Sequence, residues 1–160
     1  MMRPYSKTQI ILHWVVALLV VLQFVLHEGI AGAWDGFLDG RPVVFDPLVL
    51  AHVAGGGLIL LLVVWRVVAR RRQGDVAPVA GTSPFMARVT HLGHLALYGV
   101  LVLMALSGMG AWFGEVELAA EVHSLLRIVI LALVAGHTAA ALYHQFYLKD
   151  GLLRRMSLRG

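Results

Sequence analysis

The chain contains no cysteine. Disulfides, iron–sulfur clusters and thiolate metal sites are excluded with it, as is covalent haem attachment through a C-x-x-C-H motif. A prosthetic group would have to be held by packing and by nitrogen or oxygen ligands alone. Negative charge is also scarce: 9 Asp and Glu stand against 13 Lys and Arg, for a formal net charge of +4. A basic balance can signal nucleic acid, but these charges are distributed by a different rule, set out below. There is no internal repeat and no low-complexity segment.

What the chain has in excess is apolar surface. It is 160 residues long, the size of one domain, and 59% hydrophobic, against about 45–50% apolar in ordinary soluble domains. The excess is gathered into four runs, Ile10 to Leu26, Leu48 to Ala69, Val89 to Met109 and Leu118 to Tyr147. Each approaches the roughly 20 residues a helix needs to cross the hydrocarbon core. The expected fold is an all-α integral membrane four-helix bundle, one domain over 1–160. Its spans are expected at about 8–28, 47–69, 85–110 and 117–147.

Helix-start chemistry falls at the heads of these runs. Ser6 and Gln9 have capping-box spacing, and Asp46-Pro47 and Ser83-Pro84 pair an N-cap with a proline at the first helical position. Glu115, Glu117 and Glu121 suit the positive end of the fourth helix, and Gly151 is placed to cap its far end. Ala31-Gly32-Ala33 has the look of a signal-peptidase site. The apolar stretch before it exceeds the roughly 7–15 residues of a signal-peptide core, so the first run reads as a span.

An even number of spans puts both termini on one side. Arg3, Lys7, Arg66, Arg70, Arg71, Arg72, Arg88, Lys149, Arg154, Arg155 and Arg159 fall on that side, 11 of the 13 basic residues. Only Arg41 and Arg127 fall opposite, with Glu28, Asp35, Asp39, Asp46, Glu115, Glu117 and Glu121. Excess Lys and Arg mark the cytoplasm, so both termini are expected there. The partner that this charge pattern implies is a lipid bilayer and not a nucleic acid.

Eight histidines are present, nearly all in or beside the apolar runs. An imidazole in hydrocarbon needs a partner. One alone is explained by a hydrogen bond to a neighbouring helix; the spacing asks for more. His123 and His137 lie 14 residues apart in the fourth run, which is about 21 Å along a helix and within about 40° of the same face. One helix therefore presents two imidazoles in one direction, near opposite membrane surfaces, as two stacked haems require. Matching by depth pairs His13 with His137 on the cytoplasmic side and His52 with His123 on the outer side. Two axial histidines per iron leave no open position, which suits electron transfer. His27, 14 residues after His13, is the alternative outer ligand.

Gly55, Gly56 and Gly57 follow His52, and Gly56 shares its face, leaving room for a porphyrin. Gly108 and Gly110 read equally well as helix-packing glycines. Arg127, one turn after His123, and Arg66, 14 residues after His52, are candidates for haem propionates; snorkelling to the interface explains Arg66 as well. His91, His94 and His144 sit near the cytoplasmic face and are candidates for a quinone pocket, because histidine exchanges protons near neutral pH. Simple contact with water accounts for them otherwise. The aromatic residues near span ends, Tyr5, Trp14, Trp34, Trp65, Trp112 and Tyr147, need only the interfacial belt.

Arg3 to Val16 (RPYSKTQIILHWVV), AHVAGG from Ala51, VVWRVVAR from Val63, HLGHLALY from His91 and GHTAAALYHQFYLKD from Gly136 occur in this order. Together they resemble the bacterial cytochrome b(561) family over essentially the whole chain. The resemblance implies two non-covalent haem b groups with axial ligands at His13, His52, His123 and His137. It places His144 at the quinone end and locates the protein in the bacterial inner membrane. A related arrangement occurs in the cytochrome b subunits of membrane hydrogenases and formate dehydrogenases. It further implies a quinone-linked oxidoreductase, one activity in the family being oxidation of superoxide at the outer face with reduction of ubiquinone. The acidic outer connections depart from that activity, since a surface collecting an anion should attract it. Two other expectations stand beside this one: an electron-relay subunit docked to a soluble redox partner, and a histidine-lined metal transporter.

Overall fold

The computed structural model describes residues 5–73, 79 and 82–158. Arg3, Arg159 and most of the connection after Gln73, all used above to read topology, lie outside the described residues. The described residues form five α-helices and no strand: α1 Lys7–Val25, α2 His27–Leu38, α3 Pro47–Gln73, α4 Pro84–Gly114 and α5 Glu117–Tyr143. A π-helical turn, His144–Leu148, and a 3₁₀ turn, Leu153–Met156, follow. Four of the segments are long and apolar enough to cross a membrane: α1, α3, α4 and α5 with its π turn.

The helix starts are made by the residues that announce them. Ser6 accepts from the Gln9 amide at 3.2 Å while the Gln9 side chain accepts from the Ser6 amide at 3.0 Å, closing the capping box. Asp46 accepts from Leu48 N at 2.7 Å, and Ser83 from Met86 N at 3.2 Å. Other boundaries differ from the expectation. The first span stops at Val25 and the chain re-enters helix as α2, a separate segment with Ile30, Trp34 and Phe37 at helical spacing. At the far end the α-helix stops at Tyr143. Lys149 takes the left-handed conformation (φ 52°) in the role expected of Gly151, which itself lies two residues further at φ 75°. Glu115 also adopts left-handed φ, 55°, in the tight link between α4 and α5, so only Glu117 lies in the first turn of α5.

Helix α3 packs between α1 and α4, and α4 packs along α5. The buried core is small: Val16, Ile59 and Val63, with Leu19, Val20, Leu62, Tyr98, Leu101 and Val102 against it. Large apolar side chains such as Leu18, Leu61, Leu125 and Ile128 point outward and are about 60–70% exposed. Such a surface is unstable in water and at rest in lipid, where tails are as apolar as the side chains. With little side-chain core, α4 and α5 approach through small residues. A Cβ on Gly110 would touch the Ala119 Cβ at 3.4 Å, the packing role expected of this glycine.

Candidate functional site

His52 and His123 lie five and six residues into α3 and α5, which both enter from the connections on one side of the bundle. His13 lies six residues into α1, from the other side, and His137 lies near the end of α5. The fold therefore brings the four together as two ring pairs at opposite ends. The ring centres of His13 and His137 are 6.0 Å apart, and those of His52 and His123 are 6.4 Å apart.

These separations have a chemical meaning. An imidazole nitrogen binds a first-row metal ion at about 2 Å, with its ring centre about 1 Å further back, so two imidazoles on opposite sides of one ion have centres about 6 Å apart. Among the described residues, no group of three or more His, Cys, Asp or Glu side chains converges on a metal position. Each pair would supply two nitrogen donors to a metal that brings its remaining ligands with it. The residues present fit a haem.

The His52–His123 pair, called outer after the topology expected from the charges as the other is called inner, lines a cavity of about 290 Å³, whose walls include Gly56, Gly57 and Gly108. A Cβ on Gly56 or Gly57 would meet nothing within 4 Å, so these glycines leave open space. Gly108 does something else. A Cβ there would lie 3.1 Å from His123 Cε1, so the missing side chain is what admits the ring. His123 is further oriented by its Nδ1, which lies 2.9 Å from the Met104 carbonyl and 3.3 Å from Ser107 Oγ. A ring that donates from Nδ1 to a carbonyl presents Nε2 as its free ligand nitrogen.

His27 also lines this cavity, but it meets Arg127 through its Nε2 rather than stacking with His123. Burial, and then the adjacent guanidinium, hold His27 below the ordinary histidine range, against a smaller opposing pull from Glu28. Arg127 is half-buried, with the His27 imidazole beside it and His123 within electrostatic reach; a guanidinium is the side chain that recognises a carboxylate in a bidentate way.

The inner pair is crowded differently. His94 approaches His137 even more closely than His13 does, at 5.3 Å, and its Nδ1 is 2.8 Å from the Thr90 carbonyl. Arg66 is half-buried and does not reach outward to water. Its Nε donates to Tyr98 Oη and its Nη1 to the Gln9 carbonyl, both at 3.0 Å, bracing α3 against α4 and α1. It remains within electrostatic reach of His13, His94 and His137.

The histidines considered for a quinone pocket are not gathered together. His91 is exposed on a shallow surface beside Ala87, Arg88 and Leu92, whereas His94 lies against His137. His144 opens the π turn, and its Nδ1 contacts the Asp150 carboxylate. Partial burial opposes ionisation of Asp150, but hydrogen bonds from His144 and from the Leu152 amide at 3.0 Å prevail and hold the carboxyl below its ordinary value. The C-terminal turn folds back over this end, where Trp14 Nε1 donates to the Met156 carbonyl at 2.9 Å. Periodicity could not have found the His27–Arg127 or Trp14–Met156 contacts, since 100 and 142 residues separate the partners.

Four membrane-length helices with facing histidine pairs near both ends define a class, the membrane b-type cytochromes. Residues 4–158 match the prokaryotic cytochrome b561 family, and the chain belongs to it. It is similar to cytochrome b562 of Cereibacter sphaeroides, 35% identical with 95% of this chain and 94% of that one covered. It is 28% identical to the probable superoxide oxidase CybB of Yersinia pestis, covering 98% and 97%. It is 26% identical to cytochrome b561 homolog 1 of Escherichia coli, covering 99% of both. The chain is thus a bacterial membrane haem protein of an electron-transferring family.

Proposed function

We propose that this protein is a di-haem cytochrome of the inner membrane that passes electrons between a donor at the outer face and the quinone pool near the cytoplasmic face. One observation carries the reading: two imidazole pairs, contributed by different helices at opposite ends of the bundle, with ring centres at the spacing a single iron demands. His52 and His123 would hold the outer haem, and His13 and His137 the inner one. Bound haem supplies a one-electron carrier whose potential is set by axial ligands, burial and hydrogen bonding. Arg127 with His27 would meet propionates of the outer haem, and Arg66, whose Nη2 is not used in its bonds to Tyr98 and Gln9, those of the inner one.

At the cytoplasmic end the chain's own residues supply proton chemistry. The Asp150 carboxylate accepts a hydrogen bond from His144 Nδ1, and Nε2 would then be the nitrogen that meets a quinone oxygen. The π turn that presents His144 is of a kind often found at functional sites. Both termini are assigned to the cytoplasm on the distribution of Lys and Arg.

For the donor, the relative from Yersinia pestis supports superoxide, while the exposed Glu28, Asp35, Asp39, Glu115, Glu117 and Glu121 favour a cationic redox protein. The test is haem quantification with a reduced-minus-oxidised spectrum, followed by superoxide-driven ubiquinone reduction. Two haems per chain are expected; a colourless protein overturns the reading. Haem without superoxide activity leaves the electron-carrier role and removes that donor.

A further inference from the structure

The two outer histidines are not equally supported. His123 has the Met104 carbonyl on its Nδ1. His52 differs: its Nδ1 is buried and has no hydrogen-bond partner among the described residues, although the Gln23 main chain approaches the ring. Only one other buried side-chain polar atom among the described residues shares that condition, Oε1 of Gln23. One of these atoms is an acceptor and the other, as Nδ1–H, a donor. Both residues line the same outer cavity. Gln23 stands near the end of α1, and its carboxamide nitrogen occupies the space where a Cβ on Gly55 would be. That puts the carboxamide on α3 one helical turn from His52. The absent side chain at Gly55 is what lets the carboxamide reach α3. Stranding two complementary buried polar atoms in one apolar cavity is unfavourable, and pairing them removes both penalties.

We propose that the Gln23 carboxamide is the positioning group for His52, its oxygen accepting the Nδ1–H and so fixing Nε2 as the nitrogen that faces the iron position. This rests on the reading of His52 as an outer haem ligand. A ligand histidine that donates to an acceptor is a more basic ligand. A more basic ligand favours the oxidised metal, so the Gln23 contact holds the outer potential down.

The test uses the purified, haem-loaded protein and potentiometric titration. The outer midpoint is identified as the one lost in H52A. Q23L is expected to retain the wild-type haem content, shift the outer midpoint upward and leave the inner one in place. Q23E keeps an acceptor oxygen whether or not it is ionised, and is expected to return the outer midpoint to the wild-type value or below it. A purely structural role for Gln23 gives no such reversal. Should Q23L fail to accumulate, Q23N, which keeps the amide but shortens its reach, is expected to give the same upward shift. Unmoved midpoints in the leucine or asparagine variant, or equal shifts at both haems, overturn the inference alone. A wild-type protein without haem overturns the functional reading and this inference with it.

Discussion

The two ends of the bundle use the same residue type for different surroundings. At the outer end one histidine pair faces a glycine-walled cavity, with His123 held by Met104 and a guanidinium–imidazole pair nearby. At the inner end His137 has imidazoles on two sides, and the nearby arginine is committed to Tyr98 and the Gln9 carbonyl. Imidazole itself therefore does not distinguish the sites. What differs is the hydrogen bonding around the rings, the room beside them and the nearest fixed cation, which are the levers by which a protein tunes a bound metal.

The strongest way to break this comparison is to remove one histidine of α5 at a time. H123A and H137A are each expected to lose about half of the haem, from different ends. Haem content per chain with a potentiometric titration reads both, and full pigment in either variant defeats the two-pair arrangement. A sharper challenge comes at the inner end, where His13 and His94 both approach His137. H13A should lose the inner haem, while H94A should keep it and change only its spectrum. The opposite result would exchange the two residues.

A smaller effect separates the glycines. G108A places a methyl 3.1 Å from the His123 ring, and overpacking of that kind costs about 1–3 kcal/mol. It should weaken haem retention at the outer end in a dilution assay. G136A, whose added Cβ meets nothing within 4 Å, should leave the inner end unchanged. The smallest effect is a dependence on pH. The Asp150 carboxyl is held below its ordinary value of 3.8, so its contribution is fully present above that value and is lost as pH falls through the lower folded-state value. Thermal unfolding of D150N should therefore differ from wild type at neutral pH and converge with it in strong acid. A difference that persists in strong acid would show that the carboxylate charge is not its source.

Much of this was written locally in the chain. A capping box needs only Ser6 and Gln9, and a membrane-length span needs only a run of apolar residues. The 14-residue interval between His123 and His137 fixes their common face through the helical repeat alone. Other features escaped because they join distant segments or depend on how a helix ends. Nothing in the first apolar run marks the break at Leu26, since His27 and Glu28 are compatible with helix and the chain re-enters one directly. Gly151 was a reasonable cap by residue type. The π turn widened the last coil of the helix and brought Lys149 into the left-handed position first. Gly108 read as well for helix packing as for a site, and only the position of α5 against α4 shows which ring it admits.

The sequence by itself determined the number of spans, their starts and the direction each histidine takes from its own helix. Those properties follow from solvent transfer and from backbone geometry, which act within a single segment. Only the tertiary structure decided that Arg127 meets His27, that His94 rivals His13 at His137, and that Gln23 reaches α3 beside His52. Such meetings depend on the height and rotation at which helices cross. In a bundle with little side-chain core, those are set by where small residues permit close approach.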